Sequence, residues 1–121
     1  MSRGLLLVDE RLLAEDPTAP ALAERLRLRS APLEALAVPP HHKPLLAALA
    51  RTGADPAQTW AVVRDAAWIL PATTAGLAGV VLIGTAAPAG DHGVVVAQAD
   101  CLADTTRVMI PRAGGCWHDP R

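Results

Sequence analysis

Continuous apolar runs, separated by segments with helical spacing, constrain the fold of this chain more than any other feature. The clearest runs are residues 4–8 (GLLLV), 59–64 (TWAVVR), 79–83 (GVVLI) and 94–97 (VVVA). A run without polar alternation is typical of a strand that is buried on both faces of a parallel sheet. Strands that alternate with helices predict an α/β layered domain with right-handed crossovers.

Three segments between these runs have helical character. Residues 44–51 place Leu45, Leu46 and Leu49 on one face, and Gly53 has the position of a residue that ends a helix. Residues 66–75 predict a second helix, which an internal proline should kink or shorten. Residues 100–109 predict a third.

Two segments leave alternatives open. Residues 21–28 (ALAERLRL) begin like a helix, whereas residues 26–30 (LRLRS) alternate and fit an edge strand equally well. Residues 32–38 are ambiguous, and the adjacent prolines Pro39 and Pro40 mark a break in regular structure.

Composition favours one soluble domain that spans residues 1–121, with an irregular tail from about residue 111. Hydrophobic residues make up 51% of the chain, which is enough for a core, although there is no Phe or Tyr and only three Trp. The net charge of −1 argues against a nucleic-acid or anionic-membrane surface. Two cysteines do not make a disulfide framework, and the N-terminal apolar run is too short for a signal peptide, so we expect a cytoplasmic protein.

Two acids follow apolar runs, at the position where α/β sheets bind ligands. Asp9 comes directly after residues 4–8, and Asp65 comes directly after residues 59–64. Ligands in open α/β sheets bind beyond the C-terminal ends of the strands, so both acids are predicted to face one crevice. The simpler interpretation is that each acid ends a strand or caps the next helix.

The middle of the chain resembles the second half of a haloacid dehalogenase-like (HAD) phosphatase. The sequence HHKP, a helix, and then TGADPAQTWAVVRD is similar to that family's Lys-Pro motif and its approach to a metal-binding acid. The Ala75-Gly76 pair resembles the residues before the family's next strand. The similarity covers roughly residues 41–110. It implies a three-layer α/β sandwich with a small, mostly parallel sheet, and the short stretch before Lys43 leaves no room for a cap domain.

The resemblance also implies a function and a set of site residues. It implies Mg²⁺-dependent hydrolysis of a phosphomonoester, with a phosphorylated small molecule as the substrate. Asp9 and Asp65 correspond to the acids that hold Mg²⁺, and Asp9 also carries catalysis. Lys43 corresponds to the lysine that balances the charge of the phosphate, and Ser30 to the hydroxyl group that binds the phosphoryl group.

The chain departs from the family pattern at several positions. Arg64 stands where the family has Gly, and Ile69 stands where a second metal-binding acid is expected. If Asp9 is the nucleophile, the general acid/base is replaced by Arg11. If Asp9 is the acid/base, the nucleophile is replaced by Leu7. The alternative function is therefore a catalytically inactive HAD-like domain that acts as a binding or interaction module.

The short N-terminal half carries one further expectation. With few strands beyond the first, the GLLLV strand is predicted to lie near an exposed edge of the sheet. Because exposed edges pair readily with other chains, the sequence predicts a homodimer or a complex with a protein partner.

Overall fold

The computed structural model describes residues 4–28, 31–37, 39–113 and 117. They contain one five-stranded sheet in the order β2-β1-β3-β4-β5, and every neighbouring pair of strands is parallel. This order is one of the two common arrangements of doubly wound α/β folds. The predicted α/β three-layer class is confirmed. The strands are β1 Leu6–Asp9, β2 Leu33–Leu36, β3 Trp60–Val63, β4 Gly79–Ile83 and β5 Val95–Ala99.

Helices connect the first four strands, a loop without a helix joins β4 to β5, and helices cover both faces of the sheet. None of the helices in the described part of the chain has the length and apolar character needed to cross a membrane. The α-helices are α1 Glu10–Glu15, α2 Ala19–Leu28, α3 His42–Thr52, α4 Ile69–Ala75 and α5 Thr105–Met109. Short 3₁₀ turns occupy Pro56–Gln58, Ala66–Trp68, Leu102–Asp104 and Ile110–Arg112.

Neighbouring residues of β1 belong to two different cores, which explains the continuous apolar run. Leu5 and Leu7 pack with α3 and α4 on one face of the sheet. Leu6 and Val8 pack with α1, α2 and α5 on the other face. Because both faces of β1 are covered, an alternating pattern never develops along this strand.

The segment that allowed either a helix or an edge strand is helical through Leu28, so the edge-strand alternative is wrong. Leu22 and Leu26 are buried, whereas Leu28 is 71% exposed. The spacing of four between the buried leucines is the helical period, and the apparent alternation arises because Arg27 separates two leucines that face different ways. The following residues, 29 and 30, lie outside the described part of the chain.

The first strand was expected near an exposed edge of the sheet, and it lies next to the edge strand without being an edge itself. β1 sits inside the sheet, hydrogen-bonded to β2 on one side and β3 on the other. The edges are β2 and β5. In β2 only Leu36 is buried, so this edge strand lacks the apolar run by which the interior strands are recognised.

The predicted helix over residues 66–75 is divided in two. A 3₁₀ turn at Ala66–Trp68 leads into α4, and Pro71 falls in the first turn of that helix. The nitrogen of proline lacks a hydrogen, but first-turn nitrogens have no acceptor inside the helix, so Pro71 costs no helical bond there. The predicted helix end at Gly53 is confirmed, since Gly53 adopts a left-handed conformation with φ of 69°.

The three tryptophans fill the core from both sides of the sheet. Trp60 and Trp117 are buried among the residues that pack with α1, α2 and α5. Trp68 is buried on the opposite face, with α3 and α4. The indole of Trp117 donates a hydrogen bond to the carbonyl of Gln58, so this part of the tail packs back on the domain.

Candidate functional site

A cleft opens at the C-terminal edge of the sheet, beside β1, where the order of the strands reverses. β2 and β3 lie on opposite sides of β1, so the connections that leave the ends of β1 and β2 cross opposite faces of the sheet. Such a switch point leaves a crevice between the two connections. The cleft measures about 360 Å³, at the small end for ligand pockets. Its lining residues are Asp9, Glu10, Arg11, Leu36, Ala37, Pro39, Pro40, Asp65 and Trp68.

Asp9 is the last residue of β1 and caps the helix that follows. It lies opposite Leu36 in the parallel ladder, and its side chain is half-buried. Asp9 Oδ1 accepts a hydrogen bond of 2.9 Å from the backbone N–H of Arg11. Within the described part of the chain, the second carboxylate oxygen has no hydrogen-bond partner, so it is available to a ligand.

Asp65 repeats this local structure at the end of the neighbouring strand. It follows β3 by two residues, and its Oδ1 accepts a hydrogen bond of 2.8 Å from the backbone N–H of Ala67. This bond caps the 3₁₀ turn Ala66–Trp68. The Asp65 side chain is exposed. The cleft thus brings together the two acids that the sequence predicted to share one crevice.

The other two predicted site residues are not among those that line the cleft. Lys43 lies in the first turn of α3 with an exposed side chain. Its backbone N–H donates to Nδ1 of His41 at 3.1 Å, so His41 caps this helix. Because α3 follows β2, Lys43 lies at the same edge of the sheet as the cleft. Ser30 lies outside the described residues.

The two alternatives for Asp9, nucleophile with Arg11 in place of the acid/base or acid/base with Leu7 in place of the nucleophile, involve residues in different surroundings. Leu7 lies in the middle of β1, opposite Glu34 and Ala61, and is fully buried. A side chain at this position faces the core and not the cleft. Asp9 and Arg11 both line the cleft. If Asp9 is the nucleophile, the two positions concerned are Asp9 and Arg11, and both lie at an accessible surface. If Asp9 is the acid/base, one of the two positions is the buried Leu7.

Arg11 is a cleft residue that the sequence analysis treated only as a missing acid. None of the hydrogen bonds or ion pairs among the described residues involves its guanidinium group. Each of the other described arginines donates to a carboxylate or a carbonyl oxygen. Arg64, for example, is adjacent to Asp65 but pairs with Glu15 at 3.3 Å. The signal for Arg11 was its position two residues after a strand-end acid.

No sequence pattern identifies the apolar wall of the cleft, which includes Leu36, Pro39, Pro40 and Trp68. Pro39 and Pro40 were interpreted only as a break in the chain, but they follow β2 at its C-terminal end and line the cleft with Leu36. Trp68 lines the cleft as well, three residues after Asp65. A residue that interrupts regular structure just after a parallel strand is placed at the ligand-binding edge by that position alone.

The carboxylates of the cleft fit Mg²⁺ only when a substrate completes its coordination. The described residues contain no group of three or more His, Cys, Asp or Glu side chains that could hold a metal ion. Mg²⁺ is commonly held by one or two carboxylates together with waters and substrate phosphate oxygens. Asp9 and Asp65 line the same cleft and keep acceptor sites beyond their capping bonds, so their donor chemistry matches this mode of binding.

No protein-family model, curated protein or solved structure matches the chain. The resemblance to HAD phosphatases therefore rests on the order of residues in the sequence alone, and a function can be proposed only from the geometry of the cleft.

Proposed function

We propose that this chain is a HAD-like domain that binds a phosphorylated small molecule with Mg²⁺ in the cleft and hydrolyses its phosphomonoester bond. One observation carries the proposal: Asp9 ends β1, Asp65 follows the neighbouring parallel strand β3 by two residues, and both acids line the same cleft. Carboxylates at this edge of an α/β sheet are placed where ligands bind. In each acid only Oδ1 accepts the capping hydrogen bond, and the second oxygen that remains supports the same conclusion.

The proposed roles follow from position. Asp9 attacks the phosphorus atom through Oδ2, while Oδ1, which accepts the capping bond from Arg11 N–H, keeps a second lone pair that could contact Mg²⁺. The resulting aspartyl phosphate is then hydrolysed by water, which regenerates the carboxylate. Asp65 would hold Mg²⁺ with Asp9, and the bound ion would neutralise charge on the phosphoryl oxygens. Lys43 adds a positive charge at this edge, and Ser30 is the proposed hydroxyl ligand of the phosphoryl group.

The test is Mg²⁺-dependent phosphate release from a broad panel of phosphomonoesters. Asp9→Asn should lower kcat by several orders of magnitude, about the loss seen when a nucleophile is removed elsewhere. Asp65→Asn should also lower kcat, and a higher Mg²⁺ concentration should restore part of the lost activity. Asp55→Asn is a matched control, since Asp55 caps a 3₁₀ turn in the same way, accepting from Ala57 N–H at 3.0 Å.

The control is informative because Asp55 precedes β3 and therefore lies at the opposite end of that strand from Asp65. Asparagine retains the oxygen that accepts the capping bond, so all three variants should fold. Phosphate release that is lost in the two cleft variants and retained in Asp55→Asn supports the proposal. Equal release from all four proteins would refute it.

The second candidate function is ligand or protein binding without turnover. The observation in its favour is that helix capping already accounts for both acids. Mg²⁺-dependent binding of a phosphate ester without phosphate release would support this candidate. A protein partner or a second copy of the chain would then pair with the edge strand β2 or β5. A protein that stays monomeric in light scattering at micromolar concentrations would remove the self-association part.

A further inference from the structure

We propose that the cleft selects aryl phosphate monoesters, with Arg11 binding the phosphoryl end and the proline-lined wall binding the ring. This inference rests on the proposed function and names its substrate class. It is carried by two features of the same cleft: a cation without a partner among the described residues, and a wall of aliphatic side chains that is completed by one indole.

The wall of the cleft favours an apolar ring over a polyhydroxylated body. Its members beyond the polar end are Leu36, Ala37, Pro39, Pro40 and Trp68. Proline has no backbone N–H to offer, and none of the aliphatic side chains can pair with a hydroxyl group. Along this wall the indole N–H of Trp68 is the one side-chain group that could pair with the hydroxyl groups of a sugar phosphate, so most of those hydroxyl groups would lack a side-chain partner, which lowers affinity. A flat aromatic ring buries apolar surface against the same wall and has no polar group that would be left without a partner.

Among the described residues that line the cleft, the polar side chains can stabilise a departing oxygen, but none is assigned as its proton donor. The polar side chains that line it are Asp9, Glu10, Arg11 and Asp65. Asp9 and Asp65 are assigned as nucleophile and metal ligand. A guanidinium group keeps its protons at any pH that proteins experience, so Arg11 donates hydrogen bonds without transferring a proton. Glu10 is exposed and, as a carboxylate, only accepts hydrogen bonds.

With only these described lining residues to serve it, a leaving group departs as an oxyanion. The Asp9 oxygen forms a bond to phosphorus while the bond from phosphorus to the aryl oxygen breaks, and the electron pair leaves with the phenolate. The phenolate takes a proton from water. Water then attacks the aspartyl phosphate, releasing inorganic phosphate and restoring the carboxylate. Phenolates leave far more readily than alkoxides, so aryl esters react where alkyl esters of similar shape do not.

The decisive comparison uses phenyl phosphate and benzyl phosphate, which share the ring but differ in the leaving oxygen. General acid catalysis contributes about 10²–10⁴-fold where it operates. Without it, kcat/KM for benzyl phosphate should fall at least about 100-fold below that for phenyl phosphate, and p-nitrophenyl phosphate should be the fastest of the three. Equal kcat/KM for phenyl and benzyl phosphate, abolished by Asp9→Asn, would overturn the inference while leaving the hydrolase proposal intact.

The role of Arg11 is tested by Arg11→Gln, with Arg64→Gln as the matched control. Losing a charged hydrogen-bond donor should reduce kcat/KM for phenyl phosphate about 10- to 100-fold. The substitution should also make kcat/KM depend more steeply on the basicity of the leaving oxygen. A change that only disturbed the structure would not alter this dependence. Arg64 is already paired with Glu15, and its substitution should alter neither quantity. An unchanged leaving-group dependence in Arg11→Gln would refute the assignment.

Binding of non-hydrolysable phosphonates tests recognition independently of turnover. By calorimetry with Mg²⁺, phenylphosphonate should bind more tightly than methylphosphonate, and Arg11→Gln should weaken both. If no ester is hydrolysed, this result still supports aryl recognition by Arg11 and the apolar wall, and only the hydrolase proposal fails. Equal affinity for the two phosphonates would overturn the inference.

Discussion

Gly79 allows Trp60 to occupy the core, and the substitution Gly79→Ala should therefore destabilise the domain. Trp60 and Gly79 are direct partners in the β3–β4 ladder. A Cβ atom at position 79 would lie 2.5 Å from Cζ3 of the indole and 2.7 Å from Cη2. Carbon atoms pack at about 3.5–4.0 Å, so the overlap is close to 1 Å. The ring has little room to move, because Trp60 is 1% exposed.

The magnitude follows from two opposing contributions. Overpacking in a core costs typically about 1–3 kcal/mol, and this overlap belongs at the upper end. Replacing glycine by alanine in a strand recovers about 0.5–1 kcal/mol of backbone entropy, so the net loss in the free energy of unfolding should be about 2 kcal/mol. Urea-induced unfolding of Gly79→Ala at neutral pH, followed by circular dichroism, measures it.

The background variant Trp60→Leu separates steric overlap from other effects. It removes the ring atoms that the new Cβ atom would meet, so Gly79→Ala should be neutral or slightly stabilising when both changes are present. The coupling energy between the two positions should be about 2 kcal/mol or more. An equal loss of stability in both backgrounds would refute the steric explanation.

Two further predictions concern the contacts that hold the tail and the α1–α2 turn. Burial raises the pKa of Asp16, but hydrogen bonds from Thr18 and from the backbone of Leu102 (2.8 Å), with the charge of Arg64, outweigh it and leave the pKa below its ordinary value. This stabilisation is present above the unfolded-state pKa of about 3.9 and is lost as pH falls through the lower folded value. Asp16→Asn should lower the free energy of unfolding by about 1–2 kcal/mol at pH 7. In urea unfolding, the difference in this free energy between variant and wild type should shrink below about pH 4. A difference that does not change with pH would contradict this account. Trp117→Ala should cost about 3–5 kcal/mol in the same assay, and a loss below about 1 kcal/mol would show that this side chain does not pack as described.

The sequence predicts the interior strands well because their signal is local. β3 and β4 are found within one or two residues of their observed bounds, since strands with both faces covered require uninterrupted apolar runs. β2 is different, because its position at the edge leaves half of its surface outside the core. The identity of its neighbour depends on a pairing between distant residues, which no local pattern contains.

The candidate site could be predicted in the same uneven way. The strand-end rule places Asp9 and Asp65 together without any structure. Pairing of β1 with β3 confirms that they share a cleft. Arg11 and the proline wall needed the structure, because nothing in the sequence shows which arginine lacks a partner or which loop folds over the strand ends.

The distribution of the three tryptophans makes the cleft observable by fluorescence. The chain contains no Tyr or Phe, so its near-ultraviolet emission arises from tryptophan alone. Trp68 lines the cleft, whereas Trp60 and Trp117 lie on the other side of the sheet. A nitroaryl ligand in the cleft should therefore quench one component of the emission most strongly. Unfolding, in contrast, should shift all three, so one spectrum distinguishes an occupied site from a lost fold.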